Sequence, residues 1–334
     1  MRLDFPMWQK ALNVIPEVSK DEWDRLDLVS RWLISTRAAV LIMTFLSAAL
    51  AGIFALRVGA FQFLPWLALT FGLIMAHASN NIFNDFTDYV RGVDKDNYFR
   101  TIYGAQPVAS GLLTKRQHLT YFFVTALLAL LAGICLLALD HWDPAVWMLL
   151  AAGAFFVLFY TWPLKYLAMG EAAVLLVWGP LMIGGGYYVL ARNWDWNVVI
   201  ASLPYVLGVT TVIFGKHIDK LGQDQGKSIH TLTVIIGEKA ARVAVMTMIA
   251  LQYLLVIGLI LTGYFSPLML IVLIGLKNIP SVWAMFKHPK PAERPAEYPA
   301  DAWPLWFSAA AFLQNRLYGL MFLLGLILSL FIHL

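Results

Sequence analysis

The chain has 334 residues, 60% hydrophobic and only 13% charged, with a mean hydropathy of +0.70; soluble domains hold about 45–50% apolar and 25% charged residues, so water is not its main solvent. A net charge of +4 and a pI near 9.0 would suit nucleic acid, but the basic residues border apolar runs, where retention at a membrane face and anionic lipid account for them. The single cysteine, Cys135, lies inside an apolar run and excludes an intrachain disulfide.

Residues 1–35 carry Asp4, Glu17, Asp21, Glu22, Asp24 and Asp27 in place of a basic start and an apolar centre, so they are not read as a cleavable signal. Within them DEWDRLDLVSRWL mixes charge with Trp23, Leu26, Leu28, Val29, Trp32 and Leu33, which suits a helix lying in the membrane interface. A membrane domain, 36–334, follows. A span needs about 20 mainly apolar residues, and nine runs come close, at 36–56, 62–83, 119–139, 145–162, 171–191, 197–215, 240–263, 266–286 and 313–332. Lys277, Asn278 and Pro280 interrupt the eighth and read as its end. The Pro-rich stretch KHPKPAERPAEYPADAWP after it should resist helix formation.

Lys and Arg are held back on the cytoplasmic side of a membrane. With nine spans, all 24 basic residues except Arg57 and Arg192 fall on one side. The N-terminus is therefore expected in the cytoplasm and the C-terminus outside. The lack of a targeting peptide suits a bacterial inner membrane.

The few acids are unevenly placed. Asp85, Asp88, Asp94 and Asp96 crowd the end of the second run in NNIFNDFTDYVRGVDKD, and Asp219 and Asp224 the end of the sixth in FGKHIDKLGQD. Clustered carboxylates at a membrane boundary repel one another and lose solvation, so they need a compensating partner, and a divalent cation is the economical one. On a helix Asn80, Asn84 and Asp88 share one face while Asp85 points about 100° away from Asn84. Asn84 and Asp88 thus present oxygens to one ion. Mg²⁺ takes few carboxylates, retained waters and phosphate oxygens, and Arg91, Lys95, Lys216 and Lys220 are at hand for phosphate charge. His77 and His217 read as packing residues rather than ligands. Asp140, Asp143 and Asp195 read as ordinary loop acids.

These motifs resemble the UbiA superfamily of intramembrane prenyltransferases over most of the chain, from RWLISTR to the ninth run. NDFTDYVRGVD at 84–94 is similar to the superfamily's first Asp-rich signature, and DKLGQDQGKSIHTLTVIIG at 219–237 to its second. PVASGLLTKRQ at 107–117 and YTWPLKYLAMGEAAVLLVWGPLMIGGGYY at 160–188 are similar to the branch that prenylates 1,4-dihydroxy-2-naphthoate in menaquinone synthesis. The resemblance implies an all-α bundle of nine spans around a central cavity, working on an isoprenyl diphosphate with Mg²⁺. Carried over by position, Asn84, Asp88, Asp219 and Asp224 would bind Mg²⁺, with Asp85 and Asp94 close by; Arg91, Lys95, Lys216, Lys220, Lys165 and Tyr160 would contact the diphosphate, and Asp88, Asp219 and Lys216 would be the catalytic core. Two departures stand out. Asp219 and Asp224 are spaced i, i+5 instead of i, i+4, so a bulge or helix end is expected between them, with Gly222 a suitable place. Lys216 and His217 also stand where the menaquinone branch tends to have an Asn pair and an Arg.

The implied chemistry is ionisation of the diphosphate to an allylic cation in a dry, aromatic-rich cavity, then attack by a ring carbon of a lipophilic aromatic acceptor. A terpene cyclase would share the ionisation but capture the cation internally. An ion-coupled transporter would carry its acids nearer the bilayer midplane.

Overall fold

The structure, a computed structural model, describes residues 3–93, 106–300 and 302–332. These are helices joined by turns and loops, with one isolated bridge between Leu167 and His230. They form two compact units, Met1–Phe45 with Leu67–Pro163, and Leu46–Trp66 with Leu164–Leu334. Among the described residues, 7 helical stretches are long and apolar enough to cross a membrane: Ala38–Arg57, Lys115–Leu139, Gly170–Ala191, Trp196–Asp219, Glu238–Leu261, Pro267–Lys287 and Phe307–Phe331. The other two expected spans are helices of a different kind. Phe63–Val90 runs for 28 residues, its second half made polar by Asn80, Asn81, Asn84, Asp85 and Asp88. Pro144–Phe159 is apolar but only 16 residues long.

In the first unit the expected interfacial helix is two helices. Ser19 opens Lys20–Arg25 with a capping box, its hydroxyl accepting from Glu22 N while the Glu22 carboxylate accepts from Ser19 N. Asp27 opens Leu28–Ser35 by accepting from Val29 N and Ser30 N. The chain breaks there because an N-cap residue is extended and cannot continue the preceding helix. An unanticipated helix, Phe5–Asn13, precedes both; Asp4 N and Trp8 Nε1 donate to the same Asp27 carboxylate. Part of the apolar side of this segment faces protein, with Ala11, Trp23, Leu26, Leu33 and Ile34 buried in one cluster with Ala78, Leu112 and Leu113, while Leu28 and Val29 stay exposed. Phe63–Val90 is then tied to its neighbours within the unit. Asn81 Nδ2 donates to Thr36 O at 2.8 Å, His77 Nδ1 lies 2.7 Å from Thr44 Oγ1, and His118 Nε2 lies 2.9 Å from Ile82 O. His77 is thus the packing residue that the sequence implied.

In the second unit Gly170–Ala191 widens into a π-helix over Val177–Gly184, around Pro180, which has no N–H to keep an α ladder intact. Lys277, Asn278 and Pro280 do not end the eighth run. They mark its change from a 3₁₀ helix, Pro267–Asn278, to an α-helix, Ile279–Lys287, whose first turn holds Pro280 where no intrahelical N–H bond is lost. Arg242, in the first turns of Glu238–Leu261, donates from Nη1 to the carbonyls of Phe286 and Lys287, 2.9 Å each, and so satisfies the end of the next helix. Close approach between helices relies on small residues: Gly208 leaves room for the side chains of Asn315 and Gln252, and a Cβ on Gly319 would stand 2.8 Å from the Tyr205 ring. From His288 to Ala300 the Pro-rich stretch is non-helical, as its sequence requires.

Candidate active site

Phe63–Val90 passes unbroken through the first acidic signature, so the four-residue spacing holds and sorts the side chains. Asn80 Nδ2 donates to Val157 O at 2.9 Å, a tie to Pro144–Phe159. One turn on, Asn84 is 6% exposed and its Oδ1 has no hydrogen-bond partner. Another turn on, Asp88 is completely buried. Asp85 points elsewhere, as expected, and pairs with Arg37. Arg91, at the helix end, is exposed and holds its guanidinium 4.6 Å from the centre of the Trp162 ring. Tyr160, just past Pro144–Phe159, is half-buried. Asp94 and Lys95 lie outside the described residues.

The second signature is split. Asp219 is the last residue of its helix, Lys220 breaks the path at φ −114° and ψ 17°, and Asp224 belongs to a new short helix, Leu221–Gly226. The expected interruption thus falls at Lys220 rather than at Gly222. Both Asp219 oxygens are engaged across the unit: they accept from Trp306 N at 3.1 Å, Phe307 N at 3.0 Å, Ser308 N at 2.9 Å and Ser308 Oγ at 2.7 Å, at the start of Phe307–Phe331. Lys290 Nζ stands 3.9 Å away. Burial pushes the Lys290 ammonium's pKa down, and Asp219 partly restores it. Asp224 is differently placed. Its Oδ1 accepts from the buried Lys220 Nζ at 3.0 Å, and its Oδ2 is buried without a hydrogen-bond partner.

Other basic residues of this unit vary in burial: Lys165 is 3% exposed, with its ammonium 5.7 Å from the Tyr166 ring centre, whereas Lys216 is half-buried. His217 Nδ1 lies 2.7 Å from Glu171 Oε1, both side chains being buried. His217 is therefore committed to a carboxylate, in keeping with its reading as a packing residue.

Among the described residues no three His, Cys, Asp or Glu side chains gather to hold a metal. The fit of a metal can still be judged atom by atom. A buried acceptor without a donor costs about 1–3 kcal/mol, so Asn84 Oδ1 and Asp224 Oδ2 call for a donor or a cation, and as hard oxygens they suit Mg²⁺. Asp219 does not fit in the same way, because the start of the last helix already engages both of its oxygens.

Three partners of these side chains, one in the first unit and two in the second, carry little signal of their role in the sequence. Arg37 counted only as a basic residue at the first span, Lys290 as one more charge in a Pro-rich loop, and Glu171 as part of a resembling stretch. A carboxylate inside an apolar run was the one signal available for Glu171.

Residues 45–308 match the UbiA prenyltransferase family. The 1,4-dihydroxy-2-naphthoate octaprenyltransferase of Bacillus subtilis (strain 168) is 22% identical over 89% of this chain and 92% of its own length. The Escherichia coli (strain K12) protein of the same name is 27% identical over 63% of this chain and 70% of its own. A UbiA homolog from Archaeoglobus fulgidus, solved bound to GPP and Mg²⁺, shares the fold, with a TM-score of 0.59 at 13% identity over 87% of this chain and 99% of that one. The all-helical bundle, its apolar spans and a match covering most of the membrane domain lead to one conclusion: this chain is an integral membrane prenyltransferase that belongs to the UbiA family.

Proposed function

We propose that this enzyme transfers an isoprenyl group from a polyprenyl diphosphate to an aromatic quinone precursor of the 1,4-dihydroxy-2-naphthoate type, with Mg²⁺ as cofactor. The observation that carries the reading is the pair of buried, partnerless oxygens, Asn84 Oδ1 and Asp224 Oδ2, one in each acidic signature. The near full-length likeness to the Bacillus subtilis enzyme supports the acceptor class. The donor class and the metal are supported by the Archaeoglobus fulgidus protein, whose structure was solved with GPP and Mg²⁺.

Asn84, Asp88 and Asp224 are the residues proposed to hold Mg²⁺, with Asp94 beside them in sequence. When bound, the metal supplies positive charge that lowers the cost of releasing diphosphate. Arg91, Lys95, Lys216, Lys220 and Lys165 are proposed to take up the phosphate charge that grows as the carbon–oxygen bond breaks, and Tyr160 to donate a hydrogen bond to it. Lys220 is held by Asp224 and is pre-positioned, so it pays no ordering cost at the moment of reaction. The apolar helices exclude water that would quench the allylic cation. A ring carbon of the acceptor then attacks, and loss of its proton restores aromaticity. The N-terminus is proposed to lie in the cytoplasm, with the acidic signatures opening there.

The test is diphosphate release by purified full-length protein given an isoprenyl diphosphate of C20 or longer, with Mg²⁺ or EDTA, and with or without dihydroxynaphthoate, beside Asp88→Ala and Asp224→Ala. Release that requires Mg²⁺ and both acids, with a prenylated naphthoate formed, is the expected result. A cyclic hydrocarbon without an acceptor adduct would instead indicate a cyclase. Folded protein that releases nothing from any donor would overturn the diphosphate reading and revive ion transport.

A further inference from the structure

Two residues four apart in the sixth span are shaped to one purpose. Asp219 accepts the first N–H groups of Phe307–Phe331 and the Ser308 hydroxyl. One turn earlier, Gly215 lies so close to the same backbone that a Cβ there would stand 2.7 Å from Phe307 O and 2.9 Å from Ser308 Cα. Real Cβ contacts are not that short, and the obstacle is backbone that cannot swing aside. Gly215 and Asp219 share a helix face, so the face that admits the last helix also binds it. A helix leaves its first N–H groups without intrahelical partners, and a carboxylate is a strong acceptor for them. The chain turns at Lys220, immediately after the anchored residue, and Asp224 follows on a separate helix with a free oxygen.

We propose that the second acidic signature divides its labour: Asp219, seated by Gly215, is a positioning residue that docks the last helix and fixes where the chain turns, and Asp224 is the acid of that signature that holds metal. This rests on the diphosphate–Mg²⁺ reading above. It also accounts for the i, i+5 spacing, since the two acids no longer serve one ion from one helix face, and for a glycine one turn ahead of the first acid.

The experiment uses the full-length protein in detergent, with diphosphate release measured against Mg²⁺ concentration, thermal unfolding, and hydrogen exchange at Trp306, Phe307 and Ser308. Asp219→Asn and Asp219→Ser keep a side chain that caps helices but binds Mg²⁺ poorly; Asp224→Asn removes the proposed metal acid. Asp224→Asn should raise the Mg²⁺ concentration for half-activation by about tenfold or more. The two capping variants should leave it close to that of the native protein, with a fall in Tm of only about 3 °C. Asp219→Ala and Gly215→Ala should fall further in Tm and lose exchange protection at 306–308 without a change in half-activation. Asp219→Asn matching the Mg²⁺ shift of Asp224→Asn at native Tm would overturn the division, as would Mg²⁺ stripping protection from 306–308 by drawing Asp219 off the helix. If the native protein shows no Mg²⁺-dependent release, the functional reading fails; loss of protection in Asp219→Ala still decides whether Asp219 docks the last helix.

Discussion

The Arg37 guanidinium and the Asp85 carboxylate form an ion pair in which each side chain is only 4% exposed. Arg37 reaches it from a left-handed turn, φ 54°, between Leu28–Ser35 and Ala38–Arg57, a conformation that costs a non-glycine residue roughly 1–2 kcal/mol. Breaking a buried pair from one side strands the other charge. Arg37→Met and Asp85→Leu should each destabilise by about 3–5 kcal/mol, whereas the double variant should lose markedly less. Thermal unfolding of the four proteins in one detergent checks this. Equal, additive losses would mean that the two residues do not act as a pair.

Asp27 gives the N-terminal segment a pH limit. Burial alone would raise its pKa, but hydrogen bonds from Ser30, the Asp4 N–H and Trp8 outweigh that and hold the carboxyl well below the usual range. The folded value lies below the unfolded one, so the stabilisation is complete above the ordinary Asp pKa of about 3.9 and is lost as pH falls from there toward the folded value. Proteolysis by pepsin between Phe5 and Asn13 should therefore increase more steeply below that pH than for a control site. Asp27→Asn should open the segment at neutral pH and flatten the dependence.

Lys220 and Asp224 should behave as one functional unit. Both are 3% exposed or less, and the ammonium donates to one oxygen of the carboxylate while the other oxygen stays open. Lys220→Met should lower kcat for diphosphate release by about 10²–10³, on the scale of losing one preorganised charge-stabilising donor. Lys220→Arg should recover part of it. An unchanged kcat in Lys220→Met would remove Lys220 from the site.

Gly208 supplies a test confined to packing. A Cβ there would collide with both the Asn315 and Gln252 side chains, and Gln252 holds Pro204 O at 2.9 Å. Gly208→Ala should cost about 1–3 kcal/mol by overpacking, read as a fall in Tm with unchanged Mg²⁺ half-activation. A stabilised variant would show that these side chains have room to move.

What was legible in the sequence follows from the range of the forces involved. Apolar runs, the charge bias of loops and the clustered acids are local, so the spans near 119–139, 197–215 and 240–263 correspond to Lys115–Leu139, Trp196–Asp219 and Glu238–Leu261. The face shared by Asn84 and Asp88 was legible for the same reason, since a helix needs only spacing. The engagement of Asp219 was not, because its donors lie 87 to 89 residues ahead. The last helix likewise begins at Phe307, before its apolar run, where Asp219 satisfies its first turn. Phe5–Asn13, at 9 residues, is too short for its apolar spacing to announce it, and what holds it is Asp27 on a later segment.

Arg242 joins the beginning of Glu238–Leu261 to the end of Pro267–Lys287. The short turn at 262–266 joins their other ends, so the arginine closes the open end of a hairpin whose other end is closed by the chain itself. Such a hairpin satisfies its own terminal carbonyls before any later segment has been synthesised. The last helix can then add to a pair whose ends are already satisfied, through the packing and hydrogen bonds that associate helices in lipid.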